Sequence, residues 1–321
     1  MGIKVLIPQM IAQEGMEYLI DHGFEIKIGS GAAEEDLIRD IADCDAVLLR
    51  TADMTEKVMK AGKKLKIVAR HGAGYNNVDI ETASRLGIVV TNTPDATTIS
   101  VAEYTIGAML AVTKQLFPCS EQMKNGNFLF KNSNKGMELK GKTLGIIGFG
   151  RIGRRTAKIA HDGLSMKIAA YLNQPFDMPE YVKILGWEQL FRECDVISLH
   201  VPATAETIGF VGEKEFAWMK ESAYFINCSR GEVVNEGELI QALEAGKIAG
   251  AFVDVFETEP PLSTNPLLHM SNTAVTPHMA SNTEECMTAI AVQAAEQIDY
   301  FFHGGEPLWI VNDSVTDSKK F

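Results

Sequence analysis

The feature that most constrains this chain is a repeated alternation of short apolar runs with amphipathic segments. The runs Val5–Ile7, Ile26–Ile28, Ala46–Leu49, Ile67–Ala69 and Ile88–Val90 are short strand candidates. Between them, Ala12–Asp21, Glu34–Ile41 and Thr55–Ala61 carry apolar residues at helical spacing. Strands buried on both faces and joined through helices imply a parallel sheet with helices on its faces. A second series runs through Thr143–Gly148, Lys167–Tyr171, Val196–Leu199, Tyr224–Asn227, Ala251–Asp254 and Ala274–Thr276. Its helices include Ile152–His161 and Glu236–Ala245, the latter stopped by Gly246. The fold class read from this pattern is α/β with two parallel-sheet domains, and 321 residues suffice for two cores.

Two longer helical patterns, Thr98–Phe117 and Asn282–Phe302, bracket the second series. Each would span about 30 Å at 1.5 Å per residue. They are expected to carry the chain out of the first domain and back. Residues 1–97 and 284–321 would then form one discontinuous domain, with residues 98–283 inserted as the other. The polar tail Ser314–Phe321 is expected to fray.

A formal net charge of -12 argues against a nucleic-acid surface, which needs a basic stripe. It leaves an anionic small molecule open, because a few arginines override the global field at short range. Five scattered cysteines without a C-x-x-C pair fit reduced thiols in a cytosol, with neither a disulfide framework nor a metal site. The N-terminal run ends at Pro8 and lacks the layout of a secretory signal, and Leu6 stands where a myristoylation signal wants Ser or Thr. No apolar stretch reaches the length of a membrane span. The expected setting is cytoplasmic, with no membrane partner.

Gly148-Phe149-Gly150-Arg151-Ile152-Gly153 follows the apolar run Leu144–Ile147 and opens a helix. That context lifts G-x-G-x-x-G above an ordinary turn. Gly148, Gly150 and Gly153 allow a tight turn and a close backbone approach, and the helix N-terminus offers N–H groups to a pyrophosphate. The acid that reads a ribose belongs about twenty residues further on. Here Leu172-Asn173-Gln174 stands at that place, with Asp177 beyond Pro175 and no Arg or Lys from residue 172 to 176. NAD is favoured over NADP, with Asn173 taking the hydroxyl contacts.

Four segments then occur in a telling order: Gly148–Gly153, Asn227-Cys228-Ser229-Arg230-Gly231, Asp254–Pro261 and Thr276-Pro277-His278. With Arg70-His71-Gly72-Ala73-Gly74, Asn77-Val78-Asp79, Asn92-Thr93-Pro94 and Val101-Ala102-Glu103, the chain resembles the D-isomer-specific 2-hydroxyacid dehydrogenases up to about Asn312. Within them it looks most like the phosphoglycerate dehydrogenase branch. The resemblance implies two doubly wound parallel-sheet domains, a Rossmann cofactor domain inserted into a smaller flavodoxin-like substrate domain. It also implies a homodimer formed through the cofactor domain, with the helix from Thr98 as an interface element. No regulatory module follows the last strand pattern, so effector inhibition through one is not expected.

By the same resemblance, Arg230, Glu259 and His278 form the catalytic set. The chemistry wants these types in its own right. Hydride addition to a keto carbon leaves an oxygen that takes a proton, which His278 can give. Glu259 would orient the imidazole, and Arg230 offers a planar fork for a carboxylate. Singly, each fits a bland role equally well: a surface ion pair, a solvated carboxylate, a satisfied loop histidine. All three follow strand ends, the rim where doubly wound sheets bind ligands. The resemblance further places Arg151 and Ile152 over the pyrophosphate and Val201 at the adenosine. Cys228, Ser229 and Asp254 would border the nicotinamide, Asp254 holding its carboxamide, although a strand-end Asp also commonly accepts local backbone bonds.

Arg50 and Arg70 each follow an apolar run, and in the phosphoglycerate dehydrogenase branch these places grip a substrate phosphate. Gly72, Ala73 and Gly74 could form a nest for the substrate carboxylate. His71, inserted in that loop, either tunes substrate choice or is merely exposed. The leading expectation is a dehydrogenase of a small 2-hydroxy or 2-keto acid, with D-3-phosphoglycerate a candidate substrate. A glyoxylate or hydroxypyruvate reductase and a non-catalytic NAD-sensing binding protein stand as alternatives. Formate oxidation is disfavoured, since the related formate dehydrogenases carry Gln where Glu259 stands.

Overall fold

The computed structural model describes residues 2–172 and 178–312. It divides into two compact units, residues 1–97 with 282–321 and residues 98–281. In the first unit, β1 (Lys4–Ile7), β2 (Glu25–Ile28), β3 (Ala46–Leu49), β4 (Ile67–Arg70) and β5 (Val89–Thr91) form a five-stranded sheet in the order β2-β1-β3-β4-β5. Every pairing is parallel. This is the flavodoxin-like winding.

Alternation explains why the runs lack a polar face. Val5 and Ile7, with Ala46 and Leu48, pack on one side of the sheet, while Leu6, Val47 and Leu49 pack on the other. The helix Glu284–His303 covers the first of these sides with Ala291, Ala294, Ala295 and Ile298. Its Thr283 caps it by accepting the Cys286 N–H at 3.2 Å. Beyond that helix the chain lies along β5. The Val311 N–H donates to the Val90 carbonyl at 2.9 Å, and the Asn312 side chain accepts from the Val90 N–H at 2.8 Å.

In the second unit, β6 (Thr143–Ile147), β7 (Lys167–Tyr171), β8 (Val182–Ile184), β9 (Val196–Leu199), β10 (Tyr224–Asn227), β11 (Gly250–Val253) and β12 (Thr273–Val275) form a seven-stranded parallel sheet. Its order is β12-β11-β10-β9-β6-β7-β8. Counted from β6, this is the doubly wound dinucleotide-binding order extended by one strand, with its switch point between β6 and β9. The expected α/β class with two parallel sheets is what the chain adopts.

Two details depart from the sequence reading. The edge strand β8 was not foreseen: three residues, Val182, Lys183 and Ile184, give too little pattern. The helix expected over Thr98–Phe117 ends at Thr113, and a second one runs Leu116–Lys124. Pro118 explains the break. In one continuous helix its ring would clash with the Lys114 carbonyl, so Gln115 turns to φ 55° and Pro118 falls in the first turn of a new helix.

Candidate active site

The turn after β6 shows why glycine is needed there. Gly148 has φ 93°, and a Cβ on it would run into the His200 carbonyl and the Val201 side chain just beyond β9. Gly148 and Val201 therefore meet at the switch point of the sheet. A Cβ on Gly153 would strike the Gly148 carbonyl, whereas one on Gly150 would meet open space. Gly150 precedes the helix Arg151–Leu164, whose first turn has no side-chain cap. Open room beside an uncapped helix N-terminus suits a pyrophosphate. Ile152 packs partly on the core beneath the sheet, and Arg151 is exposed. Asn173, the residue expected at the ribose, lies outside the described residues.

Three loops beyond β10, β11 and β12 carry Arg230, Glu259 and His278. Asn227 ends β10 and shapes the first: its Oδ1 accepts from the Ser229 N–H at 3.0 Å and Oγ at 2.8 Å, and its Nδ2 donates to the Arg230 carbonyl at 2.9 Å. Arg230 in turn donates to the Ser229 carbonyl at 2.6 Å. Gly231 must be small, since a Cβ there would overlap the Phe256 main chain. That close contact sets the Arg230 loop against the turn leading to Glu259. Burial draws the Arg230 pKa below its ordinary value, against the opposing charges of Glu232 and Glu259. A guanidinium stays protonated regardless.

Glu259 accepts the Phe256 N–H through Oε1 at 3.1 Å. Its Oε2 lies 2.8 Å from His278 Nδ1. Burial pushes the Glu259 carboxyl up, but the His278 bond and charge, the Phe256 N–H and the Arg230 charge together bring it below its usual value. An ionised carboxylate only accepts, so Nδ1 carries the proton and the tautomer follows. Nε2 is left outside that pair, on an exposed residue.

His278 sits at φ 53°, a left-handed conformation uncommon for a residue with a Cβ. Asp254 holds it there. The Asp254 carbonyl accepts the His278 N–H at 2.8 Å. Its fully buried carboxylate accepts from Thr276 Oγ1 at 2.6 Å, Met279 N–H at 2.7 Å and Ala280 N–H at 2.9 Å. The backbone-accepting role weighed for a strand-end Asp is thus the one its contacts display. Cys228 is buried, and burial followed by the Asp254 charge keeps its thiol protonated.

In the other unit, Arg50 donates to the Met10 carbonyl at 2.8 Å. Arg70 donates through Nε to Asn77 Oδ1 at 3.1 Å, and another guanidinium nitrogen donates to the His71 carbonyl. Asn77 also reaches the Arg50 and Ala52 carbonyls, at 3.2 and 2.7 Å. The Gly72 N–H donates to Thr93 Oγ1 at 3.0 Å, so it is not a free member of the expected nest. Asn92 donates to the Ala73 carbonyl at 2.7 Å, and Gly74 is partly exposed beside it. His71 is buried. Sequence reasoning missed Asn77, Asn92 and Asn227 as anchors; their only signal was their place inside the matched segments. Among the described residues no cluster of three His, Cys, Asp or Glu side chains could hold a metal ion, and no helix is long and apolar enough to cross a membrane.

Residues 106–280 match the family model of the D-isomer specific 2-hydroxyacid dehydrogenase, NAD binding domain. The chain is 39% identical over 302 residues to D-3-phosphoglycerate dehydrogenase of Archaeoglobus fulgidus, covering 92% of this chain and 56% of that one. It is 37% identical over 305 residues to the human D-3-phosphoglycerate dehydrogenase, again 92% and 56%. The chain thus spans little more than half the length of these relatives. Among solved structures it superposes at TM-score 0.88 on an NADPH-dependent glyoxylate/hydroxypyruvate reductase from Sinorhizobium meliloti in complex with NADP and malonate, with 29% identity and 98% of each chain covered. D-Lactate dehydrogenase from Aquifex aeolicus, complexed with NAD and lactic acid, gives 0.85, with 28% identity over 96% of this chain and 99% of that one. From the sheet order, the glycine turn, the His278–Glu259 pair and these matches together, the chain belongs to the D-isomer specific 2-hydroxyacid dehydrogenase family.

Proposed function

We propose that the protein transfers a hydride between NAD(H) and a small D-2-hydroxy acid or its 2-keto acid, with D-3-phosphoglycerate the preferred hydroxy acid. The observation that carries the reading is the 2.8 Å His278–Glu259 pair beside Arg230 at the carboxyl edge of the seven-stranded sheet. The glycine turn fits a dinucleotide: Gly150 leaves room where the uncapped helix begins. Gly148, Gly150, Arg151, Ile152 and Gly153 would hold the pyrophosphate. Val201 would face the adenosine, and Cys228, Ser229 and Asp254 would border the nicotinamide. When bound, NAD(H) supplies or accepts the hydride. Arg230 grips the substrate carboxylate and polarises the neighbouring carbonyl. His278 Nε2 gives a proton to the developing alkoxide, or removes one in the reverse direction. Glu259 holds the ring and balances the imidazolium charge.

Arg50 and Arg70 are assigned to the phosphate, and the N–H groups of Ala73 and Gly74 to the carboxylate nest. An unphosphorylated substrate such as hydroxypyruvate or glyoxylate is the second reading. It is favoured by the engagement of both arginines with main-chain carbonyls. NAD is preferred because the family model is that of an NAD binding domain. NADH oxidation against hydroxypyruvate, 3-phosphohydroxypyruvate, glyoxylate, pyruvate and branched 2-keto acids tests all of this. Turnover with a preference for the phosphorylated acid is expected. Turnover of unphosphorylated acids alone selects the second reading, and silence across the panel removes the dehydrogenase.

A homodimer is proposed through the segment that follows the helix Thr98–Thr113, most of which is itself buried. Leu116, Phe117, Met123, Phe128 and Leu129 are all exposed large apolar side chains in that segment. A second copy covering them would yield a species of twice the 35.2 kDa chain mass in light scattering. A reducing, cytosolic setting is inferred from five cysteines that form no disulfide, four of them buried.

A further inference from the structure

Glu259, the hydrogen-bond partner of His278, rides on a stretch of chain whose apolar support lies only at its ends. Phe256 and Leu267 are buried, but every residue from Glu257 to Thr264 except Pro261 is exposed. Polar contacts must therefore hold the middle of this loop in place. One side chain serves both of its ends. Glu236, the first residue of the helix Glu236–Glu244, accepts the Glu257 N–H through Oε2 at 3.1 Å. Its Oε1 accepts from Asn265 Nδ2 at 2.6 Å. Asn265 Oδ1 takes the Leu267 N–H at 3.0 Å, so the amide has to turn its Nδ2 toward Glu236. Further contacts, from the Asn265 N–H to the Leu262 carbonyl at 2.9 Å and from His269 Nε2 to the Ser263 carbonyl at 2.8 Å, secure the part of the loop beyond Glu259.

An acidic residue in the first turn of a helix is commonplace, since it offsets the N-terminal partial charge, and Glu238 serves there as well. That role needs no contact with Glu257 or Asn265. The segment that leads to Glu236 is also the one that carries Arg230, with Gly231 packed on the Phe256 main chain. We propose that Glu236 is a positioning residue for proton transfer: by closing the loop Phe256–Asn265 at both ends, it keeps Glu259 at its 2.8 Å separation from His278. This rests on the assignment of Glu259 and His278 to proton transfer. Closing a loop at its base removes conformational freedom from the residues between. A drift of about 1 Å by Glu259 would open the bond to Nδ1, and misplacements of that size cost up to about 10²-fold in rate. Glu236 is assigned no contact with substrate or cofactor, so its loss falls on kcat and not on binding.

The test is a polarity swap. Glu236→Gln keeps an acceptor for the Glu257 N–H but turns an NH2 group toward that of Asn265. Asn265→Asp keeps the acceptor for the Leu267 N–H but sets two carboxylates face to face. In the double variant the new amide donates to the new carboxylate, and all three bonds return with the net charge unchanged. NADH-dependent reduction of the 2-keto acid that wild type turns over fastest is measured for wild type, both singles and the double, then for the same four in a Glu259→Gln background. NADH fluorescence titration verifies folding. Each single should lower kcat about tenfold with KM within about twofold, and the double should recover to within about threefold of wild type. In the Glu259→Gln background, none of the changes should alter kcat by more than about twofold. Wild-type kcat in both singles overturns the proposal, as does a double variant no faster than the singles. An undiminished effect in the Glu259→Gln background also overturns it, since the carboxylate would then act by another route. Loss of NADH binding in both singles does the same, by marking Glu236 as a general structural support. A wild type silent on every 2-keto acid removes the dehydrogenase reading, and this proposal with it.

Discussion

The loops around His278 and the loop around Arg70 are anchored in opposite ways. Beyond β10, β11 and β12 the anchoring groups are Asn227 and Asp254, which absorb main-chain and hydroxyl groups through short hydrogen bonds. The proposed reacting groups of Glu259 and His278 are then left exposed and already paired. Beyond β3 and β4 the arginines proposed to meet the substrate are themselves tied to the carbonyls of Met10 and His71. The difference teaches where pre-organisation has been placed. The groups proposed for proton transfer are preset by buried anchors, while the proposed recognition of a substrate's far end would exchange local bonds for ligand bonds. Such an exchange lowers affinity for every ligand but most for one that returns too little charge, which favours selectivity.

Arg230→Ala breaks the comparison hardest on the preset side. It should lower kcat/KM by about 10³-fold or more while NADH affinity stays near wild type, measured by stopped-flow reduction and fluorescence titration. On the other side, Arg50→Gln and Arg70→Gln should lower kcat/KM for 3-phosphohydroxypyruvate by about 10–100-fold, mostly through KM. Hydroxypyruvate reduction should change less than threefold or so in Arg50→Gln, and equal losses on both acids would place these arginines outside the phosphate site. Asp254→Ala removes an anchor, taking away the carboxylate acceptor of the buried Ala280 N–H and of the Met279 N–H. A loss of roughly 1–3 kcal/mol in unfolding free energy is expected, together with lower kcat at similar KM. Unchanged stability would mean that the loop is held by other contacts.

Acid should weaken both units through one histidine in each, His71 in the first and His200 just beyond β9 in the second. Burial lowers His200 to about 4, and burial with two arginines lowers His71 to about 3. Both folded values lie below the ordinary 6.5, so the unfolded chain binds the protons first. Stability is complete above about pH 6.5 and falls as pH drops below it toward the folded values. The lowered Glu259 adds the same trend at lower pH, below its ordinary 4.5. At pH 5 the loss is on the order of 2 kcal/mol per histidine, readable as a lower Tm than at pH 7. A His71→Gln chain should retain only part of that acid sensitivity.

Much of this was legible before the structure. The strand runs from Val5 to Thr276 gave both sheets because the central runs, such as Ala46–Leu49 and Val196–Leu199, are buried on two faces and need no polar alternation. The Gly148–Gly153 turn was readable because strand, glycines and helix are contiguous. Arg230, Glu259 and His278 lay after strand ends, and parallel winding brings such ends to one rim. What was not legible depends on distant partners. Nothing in the sequence near Asp254 says that its carboxylate will meet residues 276–280, nor near Asn77 that it will join Arg50 to Arg70. His71 read as a loop histidine equally able to be exposed, and its burial follows from a ladder bond to Leu49. The helix break at Gln115 was visible only as Pro118, three residues too late.

The central claim is that His278, oriented by Glu259, moves the proton that accompanies hydride transfer. Its most direct test is the rate of a single turnover of NADH with hydroxypyruvate by wild type and His278→Ala, at matched NADH occupancy. A loss of about 10²–10⁴-fold in the chemical step with NADH affinity retained is the result expected. A variant that turns over at the wild-type rate would contradict the account.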